Sequence, residues 1–258
     1  MKPTVLITGA SSGLGYEFAK LFGLNGYDLV VVARNEQKLE ELKASLPHVT
    51  VTVLPKDLSL PHAAEEIYRT LVDKDIEIHY LVNNAGFGLN GEFEKLSLRQ
   101  QQEMIQVNIT ALTDLTYWFL PDMKKHANNG LDTGILNVAS TAAFLPGPHM
   151  AVYYASKAYV LSFSEGLNGE LGRTNVHVST LCPGPTSTNF FTAAKADNMK
   201  IAESSAMTAQ KVAKIGFEGF QKKQSVIIPG ASNKASAYAA KFIPRKLAAT
   251  FAKKFNGA

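Results

Sequence analysis

The chain has 258 residues, of which 46% are hydrophobic and 19% charged, and its formal net charge is +4. This composition excludes collagen, a coiled coil and a disordered polymer, and the single cysteine, Cys182, excludes an internal disulfide framework. Ten Lys or Arg and one acid lie in residues 208–258, whereas the rest of the chain is acidic on balance. The basic charge therefore belongs to the carboxyl-terminal part, and we expect no binding to nucleic acid.

Short apolar runs alternate with segments of helical periodicity along the chain. The runs predict strands at residues 4–8, 28–33, 49–54, 80–83, 134–138, 177–182 and 226–228. The periodic segments predict helices at residues 13–24, 35–46, 61–72, 99–125, 152–171 and 208–221. Several strands are continuous apolar runs, which is typical of strands buried on both faces. The alternation predicts one α/β domain over residues 1–258, with a doubly wound, mostly parallel seven-stranded sheet and helices on both faces.

Two segments stand outside this series. The loop-like stretch at 183–206 is too long for an ordinary connection, so we expect a substrate lid at about 185–207. In the basic tail, residues 233–258, Leu247, Phe251 and Phe255 recur every four residues. Such a stripe either packs against its own protein or a sister subunit, or lies on an anionic membrane surface. No stretch has the ~18 consecutive apolar residues of a transmembrane span, and we expect a cytoplasmic protein.

A glycine-rich turn, TGASSGLG, follows the first predicted strand and opens a helix. Glycines allow a sharp turn and let backbone amides approach a ligand, and the positive end of the helix attracts a pyrophosphate. The turn therefore predicts dinucleotide binding, although tight strand-to-helix turns favour glycine for structural reasons alone. The candidate contacts are Thr8, Gly9, Ser11, Ser12, Gly13, Leu14 and Gly15.

The glycine spacing in this turn resembles that of the short-chain dehydrogenase/reductase superfamily, in its single-domain branch. The other matching motifs are Asn83-Asn84-Ala85-Gly86, Asp57, Asn108, Ser140, the Tyr153…Lys157 pair and Pro183-Gly184. The resemblance covers nearly the whole chain, and the tail resembles that of bacterial general reductases. It implies a Rossmann fold and an oxidoreductase that transfers hydride between a nicotinamide and a carbonyl or secondary alcohol.

Three residues form the candidate reaction centre. Tyr153 and Lys157 are four residues apart and share a helix face, so the ammonium can lower the pKa of the phenol. Tyr153 can then exchange a proton with the substrate oxygen, and Ser140, after the fifth strand, can orient that oxygen. Spacing alone leaves Tyr154 as a competitor, but the family pattern selects Tyr153.

The resemblance implies further site residues. Asn108 matches a fourth catalytic residue, beside a break in a helix that supports a proton relay; an amide helix cap is the alternative. The implied cofactor contacts are Asp57, Leu58, Asn84, Ala85, Gly86, Tyr153, Lys157, Pro183, Gly184 and Thr188. The family usually forms dimers or tetramers through the helices that hold Asn108 and Tyr153. The histidines are scattered, so we predict no metal.

The end of the second strand predicts the cofactor. An acidic residue there would bind the ribose hydroxyls of NAD(H), but this sequence has Arg34, whose guanidinium suits a 2′-phosphate. Ser11 and Ser12 can add hydroxyl donors. We therefore predict NADP(H) in preference to NAD(H), unless Arg34 merely caps a solvated loop.

The residues expected near the nicotinamide are mostly apolar and indicate a small, apolar carbonyl or alcohol substrate: Phe87, Leu89, Phe144, Leu145, Met150, Phe190 and Phe191. Two other classes of function stay open. One is a non-catalytic, dinucleotide-sensing binding protein, against which the reaction triad argues. The other is a reductase anchored to a membrane or a partner by its basic tail.

Overall fold

A seven-stranded sheet lies at the centre of the computed structural model, which describes residues 2–187, 206–240 and 242–256. The described strands are β1 (Thr4–Thr8), β2 (Asp28–Ala33), β3 (Val51–Pro55), β4 (Tyr80–Asn83), β5 (Thr133–Val138), β6 (Val176–Leu181), β7 (Thr186–Ser187), β8 (Met207–Thr208) and β9 (Val226–Ile227). Of these, β7 and β8 pair with each other, and the other seven form the central sheet. The order in the sheet is β3-β2-β1-β4-β5-β6-β9, and every neighbouring pair is parallel. The order reverses between β1 and β4, which places a ligand-binding crevice at their carboxyl ends.

Helices cover both faces of this sheet. They are α1 (Gly13–Leu24), α2 (Glu36–Ala44), α3 (Ala63–Asp73), α4 (Leu98–Ile105), α5 (Ala111–Asn128), α6 (Ala151–Glu170), α7 (Ala209–Gln221), α8 (Ala231–Ala240) and α9 (Arg245–Phe255). Successive strand residues point to opposite faces, so Val5 and Ile7 join one core with α1, α2 and α7. Leu6 between them joins the other core, with α3 and α5. The predicted fold class is confirmed.

The predicted helix at 99–125 is divided into two. A π-helical segment, Gln106–Thr110, separates α4 from α5. The apolar periodicity continues across this segment, which is why the sequence pattern indicates one helix. The buried side chain of Asn108 lies in this wider turn, and its partners are described below.

The ends of the predicted lid are held together. Thr186 in β7 pairs with Met207 in β8, and the Met207 N–H donates to the Pro185 carbonyl oxygen at 3.1 Å. We call this two-stranded ladder the clasp. Residues 188–205, which include most of the predicted lid with Phe190 and Phe191, lie outside the described residues.

The basic tail forms α8 and α9. Ala248 and Ala252 of α9 are buried, whereas Leu247, Phe251 and Phe255 are exposed. The apolar stripe found in the sequence is therefore not the face that packs on the described part of this chain. Within the described ranges, no helix combines the length and the apolar character needed to cross a bilayer.

Candidate active site

One large cavity, of about 680 Å³, opens at the carboxyl ends of β1 to β6. This is the edge at which open parallel sheets bind ligands. The structure brings most of the sequence-predicted residues to its lining: Gly9, Ser11, Ser12, Gly13, Leu14, Arg34, Asp57, Leu58, Asn84, Ala85, Gly86, Ser140, Tyr153, Lys157, Pro183 and Gly184. Of the apolar residues expected near the nicotinamide, Phe87, Leu89 and Met150 also line it.

Phe144 and Leu145, also expected near the nicotinamide, do not line the cavity, and neither do four of the predicted catalytic and cofactor-binding residues. Thr188 lies outside the described residues. Thr8 is buried, and its Oγ1 accepts the N–H groups of Asn84 and Ala85, each at 3.0 Å, so it fastens β1 to the segment after β4. Gly15 packs against Gly9 and Asn84, which line the cavity. Asn108 binds the main chain of Phe87, which also lines it.

The glycine turn is a wall of main chain. Gly9 and Gly13 have positive φ angles of 67° and 56°, which glycine adopts without strain. A Cβ atom on Gly15 would collide with the Gly9 carbonyl oxygen, so this position needs the smallest residue. The side chain of Ser12, at the N-cap of α1, makes no capping hydrogen bond to a described residue. The amides at the start of α1 can therefore serve an anionic ligand.

Ser140, Tyr153 and Lys157 meet at the other part of the cavity. Ser140 follows β5, and α6 carries the other two residues one turn apart. Lys157 Nζ donates to the Val138 carbonyl oxygen at 2.9 Å and lies 5.9 Å from the centroid of the Tyr153 ring. A hydrogen bond joins the side chains of Tyr153 and Ser140.

Burial has the largest influence on the pKa values of Tyr153 and Lys157. It raises the pKa of Tyr153 to about 12, against the Ser140 hydrogen bond, which lowers that pKa. It also lowers the pKa of Lys157 to about 8, because the charged ammonium loses hydration. The lowering of the Tyr153 pKa by Lys157, expected from the sequence, is not among the causes of the shift; desolvation is the largest.

The second tyrosine has a different partner. The Tyr154 hydroxyl donates to Asn256 Oδ1 at 3.0 Å. Tyr153, by contrast, is bonded to Ser140, the residue expected to orient the substrate oxygen. Both tyrosines line the cavity, and the bond to Ser140 favours Tyr153 as the candidate acid, an assignment that stays a prediction.

Asn108 does not cap a helix. Its Oδ1 accepts the Phe87 N–H at 3.1 Å, and its Nδ2 donates to the Phe87 carbonyl oxygen and to Ser156 Oγ, both at 3.0 Å. It lies in the π-helical segment, so the helix break implied by the resemblance is present. A Cβ on Gly86 would lie 3.0 Å from Asn108 Oδ1 and 3.3 Å from Lys157 Nζ, which places Gly86 between these two side chains.

Among the lining residues that the sequence did not indicate, two contributors bear on the chemistry of the site: Lys56 and the end of the chain. Lys56 follows β3 and lines the cavity together with Arg34, since its N–H donates to the Ala33 carbonyl oxygen of the neighbouring strand. Its Nζ also pairs with Glu66 at 2.9 Å. A basic residue directly after the third strand was the available signal, because adjacent parallel strands end side by side.

The other missed contributor is the end of the chain. Asn256 is buried and, with Phe255, lines the cavity. Besides accepting from Tyr154, its Nδ2 donates to the Pro148 carbonyl oxygen at 2.8 Å, and its carbonyl oxygen accepts from Asn90 Nδ2 at 3.0 Å. We call these three hydrogen bonds the Asn256 latch. They hold the end of α9 against α6 and two loops.

One group of potential metal ligands occurs within the described ranges, at the opposite edge of the sheet. Ligand atoms of Glu77, His79 and His126 lie within 4.8 Å of one another. The Thr4 N–H donates to His79 Nδ1 at 3.2 Å, so the neutral ring carries its proton on Nε2 and does not offer a lone pair there. This bond disfavours a metal at the cluster, and the absence of a metal stays a prediction.

Comparison with known proteins agrees with the site. A family model described as short chain dehydrogenase matches residues 3–199. A 7beta-hydroxysteroid dehydrogenase from Clostridium sardiniense is 30% identical over 221 residues, covering 84% of this chain and 82% of its own. Among solved structures, a short-chain dehydrogenase from Sphingobium yanoikuyae in complex with NADPH is 33% identical, with a TM-score of 0.81 over 93% of both chains. A short chain dehydrogenase/reductase from Burkholderia phymatum in complex with NAD is 25% identical, with a TM-score of 0.83 over 92% of both chains. The family match spans most of the sequence, the fold and the crevice agree with it, and the chain belongs to the short-chain dehydrogenase family of oxidoreductases.

Proposed function

We propose that the protein interconverts a carbonyl compound and its secondary alcohol with NADP(H) as cofactor. The observation that carries this proposal is that Ser140, Tyr153 and Lys157 line the same cavity as the glycine turn and Arg34. The proposed proton donor, Tyr153, and the amino-terminal end of α1 therefore line the same cavity. A nicotinamide bound there would supply or accept the hydride, and the chain must supply the proton.

Tyr153 is proposed as the acid in reduction. With a pKa of about 12 the phenol is fully protonated at neutral pH, so it can donate to the oxygen of a carbonyl. Ser140 Oγ holds the same oxygen in line with that donor. Lys157, fixed by its bond to Val138, is proposed to hold the cofactor ribose with its ammonium, since its charge is not among the causes that shift the pKa of Tyr153 in the protein alone.

The residues at the glycine turn fit a dinucleotide. The uncapped start of α1 and the positive-φ glycines supply amides for a pyrophosphate, and a side chain at Gly9 or Gly15 would fill the space. Asp57 also lines this part of the cavity, and its carboxylate accepts from the N–H and hydroxyl of Ser59 at 2.9 and 2.8 Å.

Two cations favour NADP(H). Arg34 is exposed after β2, lines the cavity and forms no ion pair with a described residue, so its guanidinium is available for a 2′-phosphate. Lys56 lies beside it, although Glu66 offsets part of its charge. The relatives bind either cofactor, NADPH in one and NAD in the other, so the preference rests on these two side chains.

The substrate is proposed to be an apolar carbonyl compound. Phe87, Leu89 and Met150 line the cavity near Tyr153, and the relative from Clostridium sardiniense is named for action on a hydroxysteroid. We further propose a cytoplasmic homodimer or homotetramer built through α5 and α6. Exposed Tyr117 on α5 is consistent with such a contact.

The test is a screen of aldehydes and ketones of increasing apolar size, in which turnover is measured as the oxidation of NADPH or of NADH. We expect turnover, with higher kcat/KM for NADPH and for the larger apolar carbonyls. Tight NADPH binding with no turnover of any carbonyl or alcohol would instead favour a dinucleotide-sensing protein.

A further inference from the structure

The outward face of α9 is not used by the proposed reaction. Leu247, Phe251 and Phe255 lie on it four residues apart, so they form one stripe along the helix. They are 54%, 64% and 45% exposed, whereas Ala248 and Ala252 of the same helix are 3% and 4% exposed. The helix thus turns its small side chains towards the protein and its large apolar side chains towards solvent, the reverse of the usual amphipathic arrangement.

The same helix carries unneutralised positive charge. Arg245, Lys246, Lys253 and Lys254 are exposed, and none forms an ion pair with a described residue. No Asp or Glu follows Glu218 in the sequence. Glu92 interacts electrostatically with Lys253, although Lys253 forms no ion pair within the described part of the chain. An apolar stripe beside cations without ion pairs therefore offers both components that hold a helix at an anionic lipid surface.

The position of this helix is fixed with respect to the cavity. The Asn256 latch holds its end against α6 and two loops. Phe255 is part of the exposed stripe and also part of the cavity lining. The stripe therefore ends at the cavity, and whatever covers the stripe also lies next to the cavity mouth.

We propose that α9 docks the protein on the surface of an anionic phospholipid membrane. The stripe inserts among the lipid headgroups, and the basic side chains bind lipid phosphates. Phe242, 88% exposed just before α9, adds a further apolar side chain. Given the proposed function, on which this step rests, the docking lets an apolar carbonyl pass from the lipid to Tyr153 without crossing bulk water.

A second copy of the chain fits this face less well. A twofold dimer pairs the same patch on both subunits, so the four cations of each α9 would face those of the other. No acidic residue of the tail could offset them, and opposed like charges disfavour association. Anionic lipid complements the same charges.

The test is co-sedimentation of the full-length protein with two kinds of vesicle. One contains equal parts of phosphatidylcholine and phosphatidylglycerol, and the other contains phosphatidylcholine alone. We expect binding to the anionic vesicles that weakens with added salt and is much weaker on the neutral ones. Phe251→Glu should lower the partition coefficient at least about tenfold, the value of one buried aromatic side chain.

The matched control is Leu24→Glu, which adds the same charge at a residue 72% exposed at the end of α1 and should leave vesicle binding unchanged. Absence of binding to anionic vesicles, or equal binding by Phe251→Glu and the unmodified protein, overturns the proposal. So does a Phe251→Glu variant that changes only the oligomeric state in size-exclusion chromatography. Turnover of a water-soluble carbonyl, measured without vesicles, tests the proposed function separately, because Phe251 lies outside the cavity lining.

Discussion

The two ends of the cavity are built from different parts of the chain. Around the glycine turn the wall is main chain: strand ends, two glycines with positive φ and the amides of α1. Around the reaction centre and the tail the wall is side chains, with Tyr154 and Asn90 bonded to Asn256. A main-chain wall tolerates few substitutions because its shape depends on backbone angles, whereas a side-chain wall can change without moving the sheet. The first suits a ligand shared across a family, and the second suits a ligand particular to one member.

The largest expected effect comes from removing the hydroxyl of Tyr153, which should change catalysis and leave the main-chain wall intact. Tyr153→Phe should lower kcat by at least ~10²–10⁴-fold, since the reaction loses its positioned proton donor. The dissociation constant of NADPH should change far less than kcat, because Tyr153 is only one of many cofactor contacts and the main-chain wall is untouched. Steady-state kinetics with the best carbonyl from the screen and a fluorescence titration of NADPH measure both quantities.

Tyr154→Phe is the matched control for this variant. It deletes the same atom from the next residue, whose hydroxyl donates to Asn256, so kcat should stay within about threefold while the substrate KM rises. Turnover by Tyr153→Phe close to that of the unmodified protein would contradict the assignment of the acid.

A second variant tests the part of the cavity around the glycine turn, through the exposed guanidinium of Arg34. Arg34→Asp should reduce or invert the preference for NADPH over NADH by roughly tenfold to a hundredfold, the value of a charged hydrogen bond. Lys38→Asp, an exposed position on α2 outside the cavity lining, controls for the change in net charge. Equal kcat/KM for the two cofactors in the unmodified protein would refute the role of Arg34.

The pH dependence of reduction tests the reaction centre between the walls. Lys157 is charged below its pKa of about 8 and loses its charge as the pH rises through that value. Tyr153, with a pKa of about 12, stays protonated over the same range. We therefore expect kcat/KM to be level near pH 6–7 and about tenfold lower at pH 9, because this parameter reports the free enzyme. A level profile up to pH 9, with circular dichroism showing an intact fold, would rule out this titration.

The smallest expected effect concerns the side-chain wall alone. Asn256→Ala removes two hydrogen bonds of the latch and should raise the substrate KM by about three- to tenfold, with NADPH affinity unchanged. Thr250→Ala, which removes an exposed hydroxyl from the same helix, should leave both constants as they are. An unchanged KM in Asn256→Ala would show that the latch does not shape the substrate site.

What the sequence could predict follows the same division. Gly9 and Arg34 directly follow strands, Ser140 comes two residues after one, and Gly13 ends the turn that follows β1. Parallel strands end at one edge, so a linear pattern is enough to bring these residues together. The bond between Tyr154 and Asn256 spans 102 positions, and nothing in the local pattern of either residue indicates the other.

Two details that the sequence pattern did not reveal have the same origin. The π-helical segment contains Asn108, which binds the main chain of Phe87, 21 positions away, while the apolar periodicity runs on without a break. The periodicity of α9 predicts a helix but not its packing face, because small residues such as Ala248 and Ala252 leave a weaker pattern than Phe251.

The clasp between β7 and β8 makes the chain easy to modify at one place. Because Thr186 and Met207 are paired, the residues that flank 188–205 lie side by side. Neither β7 nor β8 belongs to the seven-stranded sheet, so a segment exchanged between them does not replace any strand of that sheet. The clasp is thus a natural junction for grafting a segment from a relative of different substrate range, in natural recombination as in engineering.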